Sequence, residues 1–435
     1  MPLPTVALVP LGCPKNLVDA EVMMGLLERA GYPLVEDPEQ AEVLLVNTCA
    51  FIEPAIEEAV DALLELAELK QTGRLRALIC TGCLTQRGGE ELLEQLPEVD
   101  VFLAPGAVPR IVEAVEAALA GRRQVMLAPL DYLYCAETPR WRSAPGWTTY
   151  VKVADGCDNR CSYCMIPDIR GPFRSRPLRD IIAEARDLAS TGVKELIIVA
   201  QDTTLCGTDI YSKPSLARLL KELGQVNGIR WLRLMYTHPA HLTEDVIDQF
   251  ATNPKLCRYV DLPIQHVTNH LLVKMNRKYT RSDIDLLLES LRAIPDMHIR
   301  TTIIVGLPGE TAQDFDELLQ FVRAARFDRL SCYAYSPEPG TKAARMSGQI
   351  SPAVKKDRVR RLMLAQAAIS RANLKKLVGR KLTVLVDSPG IGRTQWDAPE
   401  IDGVVKLTGR KAAPGRFARV LVTHSSTHDI AATPL

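Results

Sequence analysis

The sequence has few aromatic residues, only 5% of its 435 positions, and no surplus charge: Lys and Arg number 53, Asp and Glu 52, for a net +1. That balance excludes a protein that relies on a strongly basic surface to grip nucleic acid, though a local basic face remains open. No apolar run is long enough to span a bilayer. The N-terminus, Met-Pro-Leu-Pro-Thr, shows no basic stretch followed by an apolar core, so no signal peptide is expected. A secreted disulfide framework is missing too: the 11 cysteines are odd in number and not spaced for one. These absences lead to the expectation of a soluble cytoplasmic protein with no membrane partner, whose thiols stay reduced.

What is present is a tight cysteine run, Asp155-Gly-Cys157-Asp-Asn-Arg-Cys161-Ser-Tyr-Cys164. A 4Fe–4S cluster normally takes four thiolates. The spacing Cys-x3-Cys-x2-Cys supplies three, leaving one iron open as a reaction site rather than a mere electron relay. A second set is dispersed. Cys13, Cys49 and Cys83 each follow an expected strand, in Val-Pro-Leu-Gly-Cys13, Val-Asn-Thr-Cys49 and Cys-Thr-Gly-Cys83. Loops at the carboxyl ends of parallel strands converge on one crevice, so these thiols can meet there. Gly12 and Gly82 would let the backbone pass close to a bulky cluster. Two competing readings stand beside this one: a Cys80/Cys83 redox pair, and zinc, which also takes thiolates but normally wants a fourth protein ligand in a structural site. Cys135, Cys206, Cys257 and Cys332 lack partners at ligand spacing.

The coarse pattern is α/β. Residues 4–115 alternate helices with short apolar strands, Thr5–Val9, Val43–Val46 and Ala77–Cys80, and predict an open parallel sheet. Residues 128–147, with Pro129, Pro139, Pro145 and Gly146, read as a linker. A longer β/α series follows, with strands at Tyr150–Val153, Glu195–Val199, Trp231–Met235, Tyr259–Leu262, Arg300–Val305 and Leu330–Tyr335. Six units suggest a partial barrel, where a full one has about eight. Ser282 with Asp285, and Thr311 with Asp314, look like capping boxes. Ser351–Val378 predicts a long helix whose basic face either meets an acidic or nucleic-acid partner or is simply solvated. Strands at Lys381–Val386, Gly403–Thr408 and Phe417–Val422 predict a small all-β, OB-like barrel.

The cysteine run just after the first strand of a β/α series resembles the radical S-adenosylmethionine enzymes. The resemblance implies that the open iron chelates S-adenosylmethionine and that an electron from the cluster yields a 5′-deoxyadenosyl radical, with Cys157, Cys161 and Cys164 as the catalytic cluster ligands. It also implies cofactor contacts from strand ends and from the loop Gly306-Leu-Pro-Gly-Glu310: Gln201, Gln265, Gly306 and Glu310. His266 reads equally as a hydrogen-bonded core histidine.

The whole chain is similar to the methylthiotransferases. Leu11-Gly-Cys-Pro-Lys-Asn16, Val46-Asn-Thr-Cys49 and Thr81-Gly-Cys83 fall where that family carries a first cluster. The resemblance implies an N-terminal cluster-binding domain (4–115), a linker (116–142), a radical core (143–373) and a C-terminal TRAM domain (376–435). It implies two 4Fe–4S clusters, metal ligands Cys13, Cys49 and Cys83 with Cys157, Cys161 and Cys164, and S-adenosylmethionine as both methyl donor and radical source. Pro14-Lys15 after Cys13 and Ala398-Pro-Glu-Ile-Asp-Gly403 resemble the branch that methylthiolates the β-carbon of an aspartate in protein S-twelve of the small ribosomal subunit. Partners then include that protein or the assembled subunit, an electron donor such as a flavodoxin or ferredoxin, and ribosomal RNA. The alternatives are a transfer-RNA adenosine methylthiotransferase and a non-enzymatic iron–sulfur carrier.

Overall fold

A computed structural model of the chain describes residues 2–142, 146–409 and 412–435; Pro145, assigned above to the linker, lies outside them. Three β structures organise it. The first is a parallel sheet of five strands in sequence order: β1 (Val6–Pro10), β2 (Val43–Thr48), β3 (Ala77–Gly82), β4 (Val101–Leu103) and β5 (Gln124–Met126). Strands β2 and β3 are buried at every position, which is why they read as unbroken apolar runs. The residues assigned to a linker at 116–142 require correction. Gln124–Met126 pairs with Val101–Leu103 as the sheet edge, a strand too short to show periodicity. The stretch that follows is a packed strap. Tyr134 is buried with its hydroxyl 3.2 Å from the Glu184 carboxylate, and Arg140 bridges Glu21 (2.6 Å) and Glu184 (2.9 Å).

The second structure is a six-stranded, all-parallel sheet in sequence order: β6 (Thr148–Lys152), β7 (Glu195–Val199), β8 (Trp231–Leu234), β9 (Leu256–Asp261), β10 (His298–Val305) and β11 (Arg329–Ala334). It is the expected partial barrel. Alternation along each strand splits it into two faces. Val151, Leu196, Ile198, Leu232, Leu234 and Val260 join the core beneath the helices. Tyr150, Ile197, Val199, Cys257 and Tyr259 join a second core with Val22, Met23 and Met24 of the first domain's helix Pro14–Arg29. The N-terminal domain therefore packs against the barrel's inner face.

Among the described residues two helices carry capping boxes. One is Thr311 with Asp314, as expected. The other is Thr280 with Asp283, two residues before the pair read from the sequence, because the helix begins at Arg281. The basic helix spans Pro352–Lys375, and several of its cations bond to other parts of the chain: Lys355 on the Tyr335 carbonyl (2.8 Å) and Arg358 near Glu310 (3.0 Å), both buried, and, at the surface, Arg361 on Asp316 (3.0 Å) and Arg371 on the Thr427 hydroxyl (3.1 Å).

The third structure is a closed five-stranded barrel of β12 (Lys381–Ser388), β13 (Ile391–Thr394), β14 (Val405–Leu407), β15 (Phe417–Ser425) and β16 (Ile430–Pro434). It seals the end of the central barrel where the strands begin. Arg233 and Arg393 both grip the fully buried Glu195, at 2.9 and 2.8 Å. Asp402 accepts from Tyr259 (2.7 Å) and Arg300 (3.0 Å). The Ala398–Gly403 motif thus includes a structural tie to the central barrel. Arg393 and Arg233 outweigh burial and hold the Glu195 carboxyl at about 2.

Candidate functional site

The opposite end, where the central strands finish, carries the chemistry. Cys13 is the N-cap of helix Pro14–Arg29, Cys49 follows β2 directly, and Cys83 opens the helix after β3. Two asparagines knit these turns together. Asn16 donates to the Thr48 carbonyl (2.8 Å) and accepts from Cys83 Sγ (3.5 Å), while Asn47 donates to the Asn16 carbonyl (2.6 Å). A side chain at Gly12 would put its Cβ 3.2 Å from Cys49 Cβ, and one at Gly82 would lie 2.5 Å from Asn47 Oδ1. Both glycines have positive φ. They make room for neighbouring chain, Gly82 for its own sheet partner and Gly12 for a cysteine turn.

Cys157, Cys161 and Cys164 lie on the loop after β6. Its backbone is pinned from several elements: Cys157 N–H to the Gly171 carbonyl (3.1 Å), Ser162 N–H to Met275 (3.0 Å), and Asn276 Nδ2 to the Arg160 carbonyl (2.9 Å). Arg277 reaches Cys161 Sγ at 3.5 Å. The next helix, Ile166–Arg170, returns towards the first triad, and Arg170 Nη2 lies 3.6 Å from Cys83 Sγ. Arg170 also contacts Asn16, Asp19 and Asp155. Lys152 joins the same buried set through Asp19 and, at 2.8 Å, Asp155. One charged network therefore ties the first triad to the segments that flank the second.

Burial sets the thiols apart. It pushes Cys49 and Cys157 up to about 11 and raises Cys164 further, which makes each a poor free thiolate. At Cys13 burial acts in the same direction but Lys15 and Arg170 overcome it, and the net shift is downward. Lys15 is itself buried, sits 3.3 Å from the centre of the Tyr236 ring, and stays charged: burial opposes this, and Cys13 and Tyr236 outweigh it. Tyr236 follows β8 with φ +58, a left-handed conformation rare for a bulky residue.

The strand-end residues divide. Gln201 donates to Asp155 (2.8 Å) while its Oε1 is buried without a partner, and Gln265 Oε1 is also an orphan. Gln265 is held at φ +63. Two unsatisfied amide oxygens at one barrel mouth fit a polar ligand with donors. Glu310 is committed to its own loop instead: Oε2 accepts from Gly306 and Leu307 N–H, and Arg358 covers the other side. Gly306 has no free face for a side chain, since a Cβ there would meet Lys355 Cγ at 2.4 Å. The Glu310 side chain thus holds the loop that Gly306 begins. His266 is fully buried; Nδ1 accepts from Thr268 N–H (3.1 Å), Nε2 has no partner, and burial pulls its pKa to about 3, so it is neutral.

Cys80 points into the core, 3.8 Å from the Thr48 hydroxyl, which removes it as a redox partner of Cys83. A single zinc ion holds thiolates at about 2.3 Å, so its sulfurs are about 4 Å apart. Among the described residues neither triad is drawn within 4.8 Å as a single-ion group is, whereas the surface group Cys135, Glu137 and Asp180 and the more buried group Asp202, His238 and His241 are. In that last group, however, the Asp202 oxygens already accept from Asn159 (2.8 Å), His241 (2.9 Å) and Thr204 N–H (3.0 Å). Sequence reasoning missed Asp19, Lys152 and Arg170, whose motif neighbours gave no sign of the contact between triads.

Three family models match the chain: the radical SAM superfamily over 151–322, the uncharacterised protein family UPF0004 over 5–104, and the TRAM domain over 378–435. The ribosomal protein uS12 methylthiotransferase RimO of Desulforamulus reducens is 46% identical, covering 98% of this chain and 99% of the relative. That of Pelotomaculum thermopropionicum is 47% identical, covering 98% of each. In fold, the chain is similar to the radical S-adenosylmethionine methyltransferase TsrM of Kitasatospora setae, with TM-score 0.57 and 17% identity over 78% of this chain and 73% of that one. Among the described residues no helix is long and apolar enough to cross a membrane.

Proposed function

From the premise that the chain belongs to the ribosomal protein uS12 methylthiotransferase family, a radical SAM enzyme family, we propose that its two cysteine triads divide the reaction between them. The chain is a methylthiotransferase acting on uS12, the protein called S-twelve above, and uses a 4Fe–4S cluster with S-adenosylmethionine. The finer reading is that two clusters are held, one by Cys13, Cys49 and Cys83 and one by Cys157, Cys161 and Cys164, and that the target is an aspartate β-carbon. When bound, these groups supply a carbon-centred radical on one side and a methylated sulfur on the other.

The residues' own work follows from their placement. Cys157, Cys161 and Cys164 hold one centre, and the Arg277 guanidinium donates towards the Cys161 sulfur. Gln201 and Gln265 offer free amide oxygens to S-adenosylmethionine, whose amino group and ribose hydroxyls are donors. Asp155 orients Gln201 and is itself kept ionised, since Lys152 and Arg170 override its burial. Helix Pro14–Arg29 and the strap at Tyr134 close the inner face of the barrel against water. An aliphatic C–H has no useful acidity, so no carboxylate at this site is asked to remove a proton. Arg170 is the observation that carries the reading: one side chain, on the helix after one triad, touches a thiol of the other. An electron donor such as a flavodoxin or ferredoxin completes the cycle.

Mass spectrometry of small-subunit ribosomal proteins from a strain lacking the gene tests the substrate. The expected result is an unmodified aspartate in uS12, restored by the intact gene but not by Cys49→Ala. Full modification in the deletion strain contradicts the reading.

A further inference from the structure

Helix Glu53–Ala67 follows the Cys49 turn, and its N-cap residue, Ile52, has no side-chain oxygen to satisfy the N–H groups of the first turn. The cap comes from another domain. Glu338 Oε1 accepts from Glu53 N–H at 3.0 Å, across 285 positions. A carboxylate also suits the positive end of the helix dipole. The other oxygen, Oε2, pairs with Arg87 at 2.8 Å, and Arg87 in turn donates to the Ala50 carbonyl (2.9 Å), next to Cys49. Arg87 lies on the short helix Cys83–Gly88, which Cys83 opens. One buried carboxylate thus holds the turn after Cys49 and the helix after Cys83. Its own segment is fixed from the barrel side. Ser336 Oγ donates to Oε1 (2.5 Å), the Thr341 hydroxyl donates to the Glu338 carbonyl (2.7 Å), and Ala343 N–H donates to the Ser162 carbonyl (2.8 Å), between Cys161 and Cys164. A bonded path therefore runs from the loop of the second triad to the Cys49 turn of the first, and none of its bonds involves Arg170.

We propose that Glu338 is a positioning residue that sets the spacing between the two metal centres, by holding the Cys49 turn against the loop of the second triad. This rests on the reading that both triads carry clusters. A carbon radical cannot travel, so the sulfur must stand within reach of the carbon from which hydrogen is taken. Arg170 ties down Asn16 and Cys83. Glu338 serves the turn of Cys49, with which Arg170 forms no hydrogen bond among the described residues. A Ser or Asp at position 52 would cap the helix locally. A cap supplied from the end of the barrel does the same and also fixes the helix, and the cysteine before it, to the barrel.

The test uses full-length protein reconstituted anaerobically, with uS12 as substrate. Glu338→Ala removes both contacts. Glu338→Gln keeps an acceptor for Glu53 N–H and loses the charge opposite Arg87. Three quantities are read: iron per chain, 5′-deoxyadenosine formed per methylthiolated uS12, and the dipolar broadening that the two reduced centres impose on each other in electron paramagnetic resonance. In Glu338→Ala iron should match the wild type, 5′-deoxyadenosine per product should rise at least fivefold with the KM for uS12 within twofold, and the broadening should change. Glu338→Gln should fall between. Arg87→Gln should raise the same ratio, and the double variant Arg87→Gln/Glu338→Gln should be no worse than the poorer single, because both act through one bond. An unchanged ratio or unchanged broadening in Glu338→Ala overturns the proposal. So does a parallel fall of iron, 5′-deoxyadenosine and product, which marks an ordinary packing contact. If Glu338→Ala does not fold, the ratio and broadening of Glu338→Gln decide by the same criteria. A wild type without broadening when both centres are reduced contradicts the underlying reading of two neighbouring clusters. Broadening that is present in the wild type and unaltered in the variants sinks only the role of Glu338.

Discussion

The two cysteine triads use opposite strategies to reach the same ligand count. Cys157, Cys161 and Cys164 belong to one loop, and the rest of the barrel pins that loop's backbone. Cys13, Cys49 and Cys83 come from three strand ends and depend on the order β1-β2-β3 and on Asn16 and Asn47 to meet at all. A local triad survives as long as its loop does. A distributed triad is only as good as the sheet beneath it. In electrostatics one cysteine stands apart: burial dominates at Cys49 and Cys83 as it does at Cys157 and Cys164, and only at Cys13 do Lys15 and Arg170 overcome it.

That contrast can be broken most sharply by single ligand removals. Cys161→Ala should abolish 5′-deoxyadenosine release while sparing iron at the first triad, read by cofactor cleavage and iron analysis. Cys49→Ala should do the converse, leaving 5′-deoxyadenosine release intact and stopping formation of the methylthiolated product. If it still modifies uS12, the division of labour is wrong. Arg170→Leu leaves Asp19 and Asp155 short of a cation, which should cost about 3–5 kcal/mol. The loss should reach both triads together, seen as parallel loss of iron from each and a lower denaturant midpoint.

The junction at the other end provides a milder comparison, because it should affect neither triad preferentially. The Glu195 carboxyl is held at about 2 against an ordinary value of 4.5. A depressed carboxyl contributes stability that is present above 4.5 and is lost as pH falls towards 2, here about 3 kcal/mol. Glu195→Gln should remove that pH dependence in acid-unfolding curves. Smallest of all, Thr280→Ala removes an exposed helix cap and should cost about 1 kcal/mol, with cofactor cleavage unchanged.

Much of this was legible in the sequence, for physical reasons that also explain the misses. Parallel strands buried on both faces are written as continuous apolar runs, so β1–β3 and all six central strands were found within a few residues. The edge strand Gln124–Met126 is too short to carry a pattern. The second triad declares itself by spacing, and the first by each cysteine's place after a strand. What spacing cannot encode is contact across the chain: Arg170 meets Asn16 across 154 positions, and Lys152 meets Asp19 across 133. Glu310 and Gly306 were read as cofactor contacts because their loop sits at the right place. What the sequence does not show is that Arg358 and Lys355, from a distant helix, engage the Glu310 carboxylate and pack against Gly306.

Iron counting in two chains tests the central claim most directly. Anaerobically reconstituted wild type should hold about eight irons per chain, and a variant with Cys157, Cys161 and Cys164 all changed to Ala about four, retaining a cluster absorption spectrum. About four irons in the wild type and none in the variant would contradict the account, because the first triad would then hold no centre.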